Sequence, residues 1–167
     1  MNHTLSVIVE DRPGVLARVA AMFSNRGFNI HSVTVSPTHV EGRSRITLVA
    51  DAPDLEQLQK QLHKLVNVIK VHEYEPANAI ESEVALLRIS CDPSSRGAAS
   101  DTAALFGART VDLGPESMTL EVAGSPAHVH AFIDTIRPFG ILDLVKSGRV
   151  AMGKVTGMRP TGAGAPR

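Results

Sequence analysis

The run Leu5-Ser6-Val7-Ile8-Val9 alternates so that Leu5, Val7 and Val9 share one face of an extended strand. It is followed at once by Asp11-Arg12-Pro13-Gly14, and then by Leu16, Val19, Ala20 and Phe23 at helical spacing, up to a stop at Gly27. A strand that turns directly into an amphipathic helix must lay its apolar face against the apolar stripe of that helix. The chain therefore opens with a β–α unit, and later elements have to extend the same two layers.

The turn between strand and helix also carries chemistry. Amides at a fresh helix start have no partner within the helix and carry partial positive charge, so a small carboxylate can dock on them. Gly14 removes the Cβ that would keep such a ligand off the backbone. Asp11 beside those amides is placed to hold an ammonium group. A carboxylate site next to an ammonium site suits a free amino acid. The same residues also suit an ordinary helix cap, with Asp accepting from amides and Pro fixing φ.

The pattern continues with Ile30 to Ser36 as a strand, a turn at His39-Val40-Glu41-Gly42, and Arg45 to Ala50 as a third strand with Ile46 and Leu48 inward. A second helix follows Asp51-Ala52-Pro53-Asp54, with Leu55, Leu58, Leu62 and Leu65 as its stripe and Glu56 able to pair with Lys60. Val68, Ile69 and Val71 make a fourth strand. The order is βαββαβ, the ferredoxin-like unit.

After a polar stretch the pattern restarts. Val84 to Ile89 reads as a strand, and a helix starts at Ser94 or Ser95. Thr110 to Leu113 and Met118 to Val122 form a hairpin. Pro126 opens a helix with Val129, Phe132, Ile133 and Ile136 inward, and Ile141 to Val145 and Arg149 to Met152 are strand-like. The expected fold is α+β, two ferredoxin-like βαββαβ domains in series. Residues 1–76 form the first domain, 77–81 a linker, 82–156 the second domain, and the Gly- and Pro-rich 157–167 a disordered tail.

Composition narrows the function. The chain has 167 residues and is 43% hydrophobic but only 4% aromatic, so its core must be built from aliphatic side chains. Lys+Arg and Asp+Glu are 17 each, which leaves no basic footprint for a nucleic acid and little net charge to keep copies apart. The single cysteine, Cys91, ends an apolar run and reads as a buried small hydrophobe in a reducing compartment. No signal peptide is visible at Met1-Asn2-His3-Thr4, and no stretch approaches the ~20 apolar residues of a membrane helix, so a cytoplasmic protein without membrane contact is expected.

Seven histidines do not gather at ligand spacings; His128 and His130, two apart, fall on different helix faces. No serine elbow, acid pair or phosphate-loop lysine is present. The expectation is no catalytic residue, no metal site and no cofactor in this chain.

Asn29 is the other informative polar residue. It opens the second strand, which in a ferredoxin-like sheet is an edge. The helix returns the chain only partway, so Asn29 is expected far from Gly14 of its own chain. Pairing two such edges makes a homodimer in which Asn29 of one copy approaches Asp11 and Gly14 of the other. The alternative is that Asn29 caps the turn after Gly27.

Residues 4–75 resemble an ACT domain, the amino-acid-sensing module of biosynthetic enzymes. The segments from Leu5 to Arg18, Phe23 to Ile30 and Lys60 to Val66 are similar to the regulatory (small) subunit of acetolactate synthase, also called acetohydroxyacid synthase. So are Val111-Asp112-Leu113 and Pro115 to Glu121 in the second half. The resemblance covers residues 4–153. It implies a non-catalytic subunit that binds the thiamine-diphosphate-dependent catalytic (large) subunit, which also carries Mg and FAD. It implies activation of that subunit and allosteric feedback inhibition by valine in the synthesis of valine, leucine and isoleucine. The family's valine site corresponds to Asp11, Gly14, Val15, Leu16, Asn29 and Ile30 here. Relatives often carry Asn where this chain has Asp11. An acidic residue commonly follows the Asn-Ile pair, where this chain has His31, a residue type that points to pH-dependent effector binding. A free-standing amino-acid sensor without an enzyme partner is the alternative from a different class.

Overall fold

The computed structural model describes residues 2–155; the tail expected to be disordered, 157–167, lies outside them. The first half runs β1 (Asn2–Glu10), α1 (Val15–Asn25), β2 (Asn29–Pro37), β3 (Arg43–Asp51), α2 (Leu55–His63) and β4 (Val68–Tyr74). The second runs β5 (Ala79–Ser90), α3 (Arg96–Leu105), β6 (Arg109–Leu113), β7 (Ser117–Gly124), α4 (Pro126–Ile136), β8 (Ile141–Lys146) and β9 (Val150–Gly153). The first sheet has the order β2-β3-β1-β4 and the second β6-β7-β5-β8, with β9 added to β5. Every pairing is antiparallel. The two orders are the same permutation, so the fold is two ferredoxin-like βαββαβ domains.

Each half buries its own aliphatic core. In the first, Leu5, Val7 and Val9 of β1 and Ile46 and Leu48 of β3 meet Val15, Val19 and Phe23 of α1 and Leu58 and Leu62 of α2. In the second, Leu87 and Ile89 of β5 and Leu120 of β7 meet Ala99 and Ala103 of α3 and Val129, Phe132, Ile133 and Ile136 of α4. Cys91 is buried in that second core. Glu56 and Lys60 pair at 2.6 Å along α2, and the Glu56 carboxylate raises the Lys60 pKa.

Two details differ from the sequence pattern. Leu16 and Ala20 are exposed, and the buried stripe of α1 is Val15, Val19 and Phe23. Both stripes have helical spacing; the tight turn at Gly14 sets the rotation that chooses between them. In addition β5 begins at Ala79, well before the apolar run at Val84, because its first residues pair with β9.

The helix starts are closed in different ways. Asp54 caps α2 through Gln57 N at 2.9 Å, and Ser125 caps α4 through His128 N at 3.2 Å. Before α3 the Asp92 carboxylate accepts from Ser94 N and Ser95 N, each at 2.8 Å, and from the Ser94 hydroxyl at 2.6 Å. Bonding from the Ser94 hydroxyl, and then from Ser95, holds its pKa at about 2, below the ordinary 3.8. A lowered carboxylate pKa stabilises the fold above the ordinary value, and that contribution disappears as pH falls toward about 2. Asp92→Asn is therefore expected to melt earlier than the parent chain at pH 7, with the gap closing between about pH 4 and about pH 2. Melting curves with a gap constant across that range would contradict the assignment.

Candidate effector site

No side chain closes the start of α1, and unlike α3, where the Asp92 carboxylate bonds Ser94 N and Ser95 N just ahead of the helix, no carboxylate holds the residues before it. Its cap residue is Gly14, at φ 81° and ψ −3°, and no side chain there accepts from the first turn. This left-handed conformation favours glycine, and a Cβ at Gly14 would meet no heavy atom within 4 Å. The backbone is thus open to an approaching ligand. Asp11 is exposed and does not cap the helix; its own amide donates to Gly42 O at 2.9 Å. Glu10, next to it, is already engaged, accepting from Asn67 Nδ2 at 2.8 Å and pairing with Arg12 at 3.1 Å. Arg18 donates to Asn67 Oδ1 at 2.6 Å, which ties the first turns of α1 to the loop before β4.

A cleft of about 180 Å³ opens at this turn. Asp11, Gly14, Val15 and Leu16 line it, together with Val9. Its back wall is Val35, Ser44 and Ile46, which the sequence reading did not include. Val35 pairs with Ile46 across β2 and β3, so both lie on the helix-facing side of the sheet. The site offers uncapped amides, an exposed carboxylate and an apolar wall within one small cleft. That set matches the carboxylate, ammonium and aliphatic side chain of an amino acid.

Asn29 and Ile30 are not in this cleft. Both Asn2 and Asn29 pair with Asp51, whereas Glu10 pairs with Arg43 at the opposite end of β3. A strand length therefore separates Asn29 from the turn, roughly 25 Å at ~3.3 Å per residue. Ile30 is half-buried against the first core, and His31 is exposed. The turn after α1 is closed by backbone bonds, Gly27 N to Ser24 O at 3.1 Å and Phe28 N to Phe23 O at 3.0 Å, so it does not use Asn29 as its cap. β2 is an edge of the first sheet. An antiparallel pairing of two such edges about a two-fold axis would bring Asn29 of a second copy beside Val35 to Pro37, at the mouth of the cleft.

A larger cleft, about 410 Å³, sits at the corresponding β–α turn of the second half, lined by Ser90, Asp92, Ser95, Glu116, Pro138 and Phe139. There the helix start is already filled by the Asp92 carboxylate, and Glu116 adds a second acid. The first cleft also holds two acids, Glu10 and Asp11, but there Glu10 is paired with Arg12, which lines the same cleft, and no side chain caps the helix at Gly14. The smaller cleft is the better amino-acid site.

Comparison with known proteins fixes the family. Residues 5–70 match the model of an AHAS small subunit-like ACT domain, and residues 82–155 match that of the small subunit of acetolactate synthase. The chain is 46% identical over 155 residues to an acetolactate synthase small subunit of Mycobacterium bovis, covering 92% of each chain. The chain belongs to the acetolactate synthase small-subunit family. A family member from Mycolicibacterium smegmatis is 44% identical over 168 residues, covering 99% of this chain and 96% of its own. The crystal structure of the Thermotoga maritima acetolactate synthase small subunit superposes with a TM-score of 0.84 at 32% identity, covering 92% of this chain and 98% of that one. Membership supports a regulatory rather than a catalytic role. Among the described residues no helix is long and apolar enough to cross a membrane.

Proposed function

We propose that this chain is the regulatory subunit that activates an acetolactate synthase catalytic subunit and makes it sensitive to feedback inhibition by valine, the effector of branched-chain amino-acid synthesis. The observation that carries the effector site is the uncapped start of α1 opening onto an apolar cleft. The valine carboxylate docks at the start of α1 on the amides of Gly14 and Leu16, beside Val15, whose own amide donates to Arg12 O at 3.4 Å. Its ammonium faces Asp11, and its branched side chain rests on Val15, Val35 and Ile46. Asn29 and Ile30 come from a second copy of the chain through β2–β2 pairing, so the working unit is at least a homodimer.

Catalysis belongs to the partner, which carries the thiamine diphosphate, magnesium and FAD; this chain contributes no catalytic group and no metal ligand. Each half buries a separate core, which suits a division into an effector-binding ACT domain and a C-terminal domain.

Reconstitution tests the assignment. The purified chain alone is expected to form no acetolactate. Added to its catalytic subunit it is expected to raise the rate, and valine is expected to lower that raised rate. A catalytic subunit whose rate ignores the chain, while the chain still binds valine, would identify a free-standing sensor instead.

A further inference from the structure

Besides a small cluster of Tyr74, Ala79 and Ala151, the two halves touch through the turn between β8 and β9, residues 147–149, which lies on the edge strand β2. A methyl group on Gly148 would stand 2.7 Å from the Val33 carbonyl oxygen and would collide with the Thr34 hydroxyl. Gly148 does not have a positive φ, so it is required for close approach and not for its backbone conformation. The next residue, Arg149, donates its amide to Ser32 Oγ at 2.9 Å. Its Nη1 donates to Thr4 Oγ1 at 3.3 Å and pairs with Glu81 at 3.2 Å. One largely buried guanidinium thus links β1 of the first half to β5 of the second, while its backbone holds β2. Charge-assisted bonds shielded from water are stronger and more directional than exposed ones.

The placement on β2 matters. Ser32 and Thr34 face the turn 147–149, while Val33 and Val35 face the helices, and Val35 lines the candidate effector cleft. A ligand in the cleft and the C-terminal half therefore press on opposite faces of the same few residues. The contact is also imperfectly paired. Thr34 Oγ1 and Arg149 Nε are both buried without a hydrogen-bond partner. An unpaired acceptor and an unpaired donor at one contact leave room for a second arrangement in which both are satisfied.

We propose that Gly148 and Arg149 are the positioning residues through which effector occupancy at the β1–α1 turn is passed along β2 to the C-terminal half. The inference rests on the effector reading above. The binding pocket lies wholly outside this contact, so the two are separable by mutation.

The test uses the full chain, free and in complex with its catalytic subunit, in three forms: parent, Gly148→Ala and Arg149→Lys. Calorimetry on the free chain is expected to give valine affinities within about threefold of the parent, while the valine concentration for half-inhibition of the complex rises by about tenfold or more. Backbone deuterium exchange is expected to show valine-dependent protection of β5 and residues 147–149 in the parent and loss of it in the variants. If Gly148→Ala fails to fold by circular dichroism, Arg149→Lys carries the test, since it keeps the positive charge but loses the fork that spans Thr4 and Glu81. Folded variants with parental affinity and parental inhibition would overturn the proposal. So would folded variants that lose valine binding, because the contact would then be part of the site itself. A parent chain that takes up no valine would overturn the effector reading, and this inference with it, and shows separately in the calorimetry.

Discussion

Replacing Gly14 with aspartate is expected to abolish valine binding and feedback inhibition while the chain stays folded. The position has φ 81°, and a Cβ there meets nothing within 4 Å, so there is no clash. Aspartate enters the left-handed region more readily than most residues, at a cost of about 1 kcal/mol, well below the ~5–15 kcal/mol that holds a domain together. Its carboxylate would stand where the ligand carboxylate docks and would itself take up the amides of α1. Two like charges about 4 Å apart near a protein surface repel by about 4 kcal/mol, or roughly a thousandfold in affinity. Gly14→Ala, which imposes the backbone strain without the charge, is expected to lose much less. Calorimetry showing parental valine affinity in Gly14→Asp would rule out the turn as the site.

Asn29→Ala is expected to weaken valine binding as well, although Asn29 sits a strand length from the cleft of its own chain. A hydrogen bond to a charged ligand group contributes about 1.5–3 kcal/mol, so the expected loss is about ten- to a hundredfold. The exposed position of Asn29 and its absence from the cap of the preceding turn make a large folding defect unexpected. Retained affinity in this variant would confine the site to the turn and its cleft.

Most of the fold was legible because the apolar patterns are unambiguous. The stripe Val129, Phe132, Ile133, Ile136 admits one rotation of α4, and those four side chains are buried. The register of β2 against β3 follows from Val33 and Val35 lying opposite Leu48 and Ile46. The turn at Asp11 and Gly14 was legible too, since a glycine between a strand and a helix shows in the sequence itself.

What stayed hidden depends on distant partners. Leu16 fitted the α1 stripe as well as Val15 did, and only the geometry of the Gly14 turn separates them. The early residues of β5 include Glu81, in the stretch 77–81 read as a linker, and Glu83, ahead of the run from Val84 read as the strand. Their charges are answered by Arg149 at 3.2 Å and Lys146 at 2.9 Å, far along the chain. Val35, Ser44 and Ile46 could have been placed at the cleft only from the pairing of β2 with β3. Gly148 looks like any loop glycine until Val33 and Thr34 are seen against it.

The shared site is the central claim, and mixed dimers test it most directly. One chain carries Gly14→Asp and the other Asn29→Ala, each with a different affinity tag, and the heterodimer is purified and titrated with valine. If each site combines the turn of one copy with Asn29 of the other, one site carries both lesions and the second carries neither. The account predicts one valine bound per mixed dimer, at parental affinity. If each site combines the turn and Asn29 of the same chain, both are damaged, and binding with parental affinity disappears; that result would contradict the account.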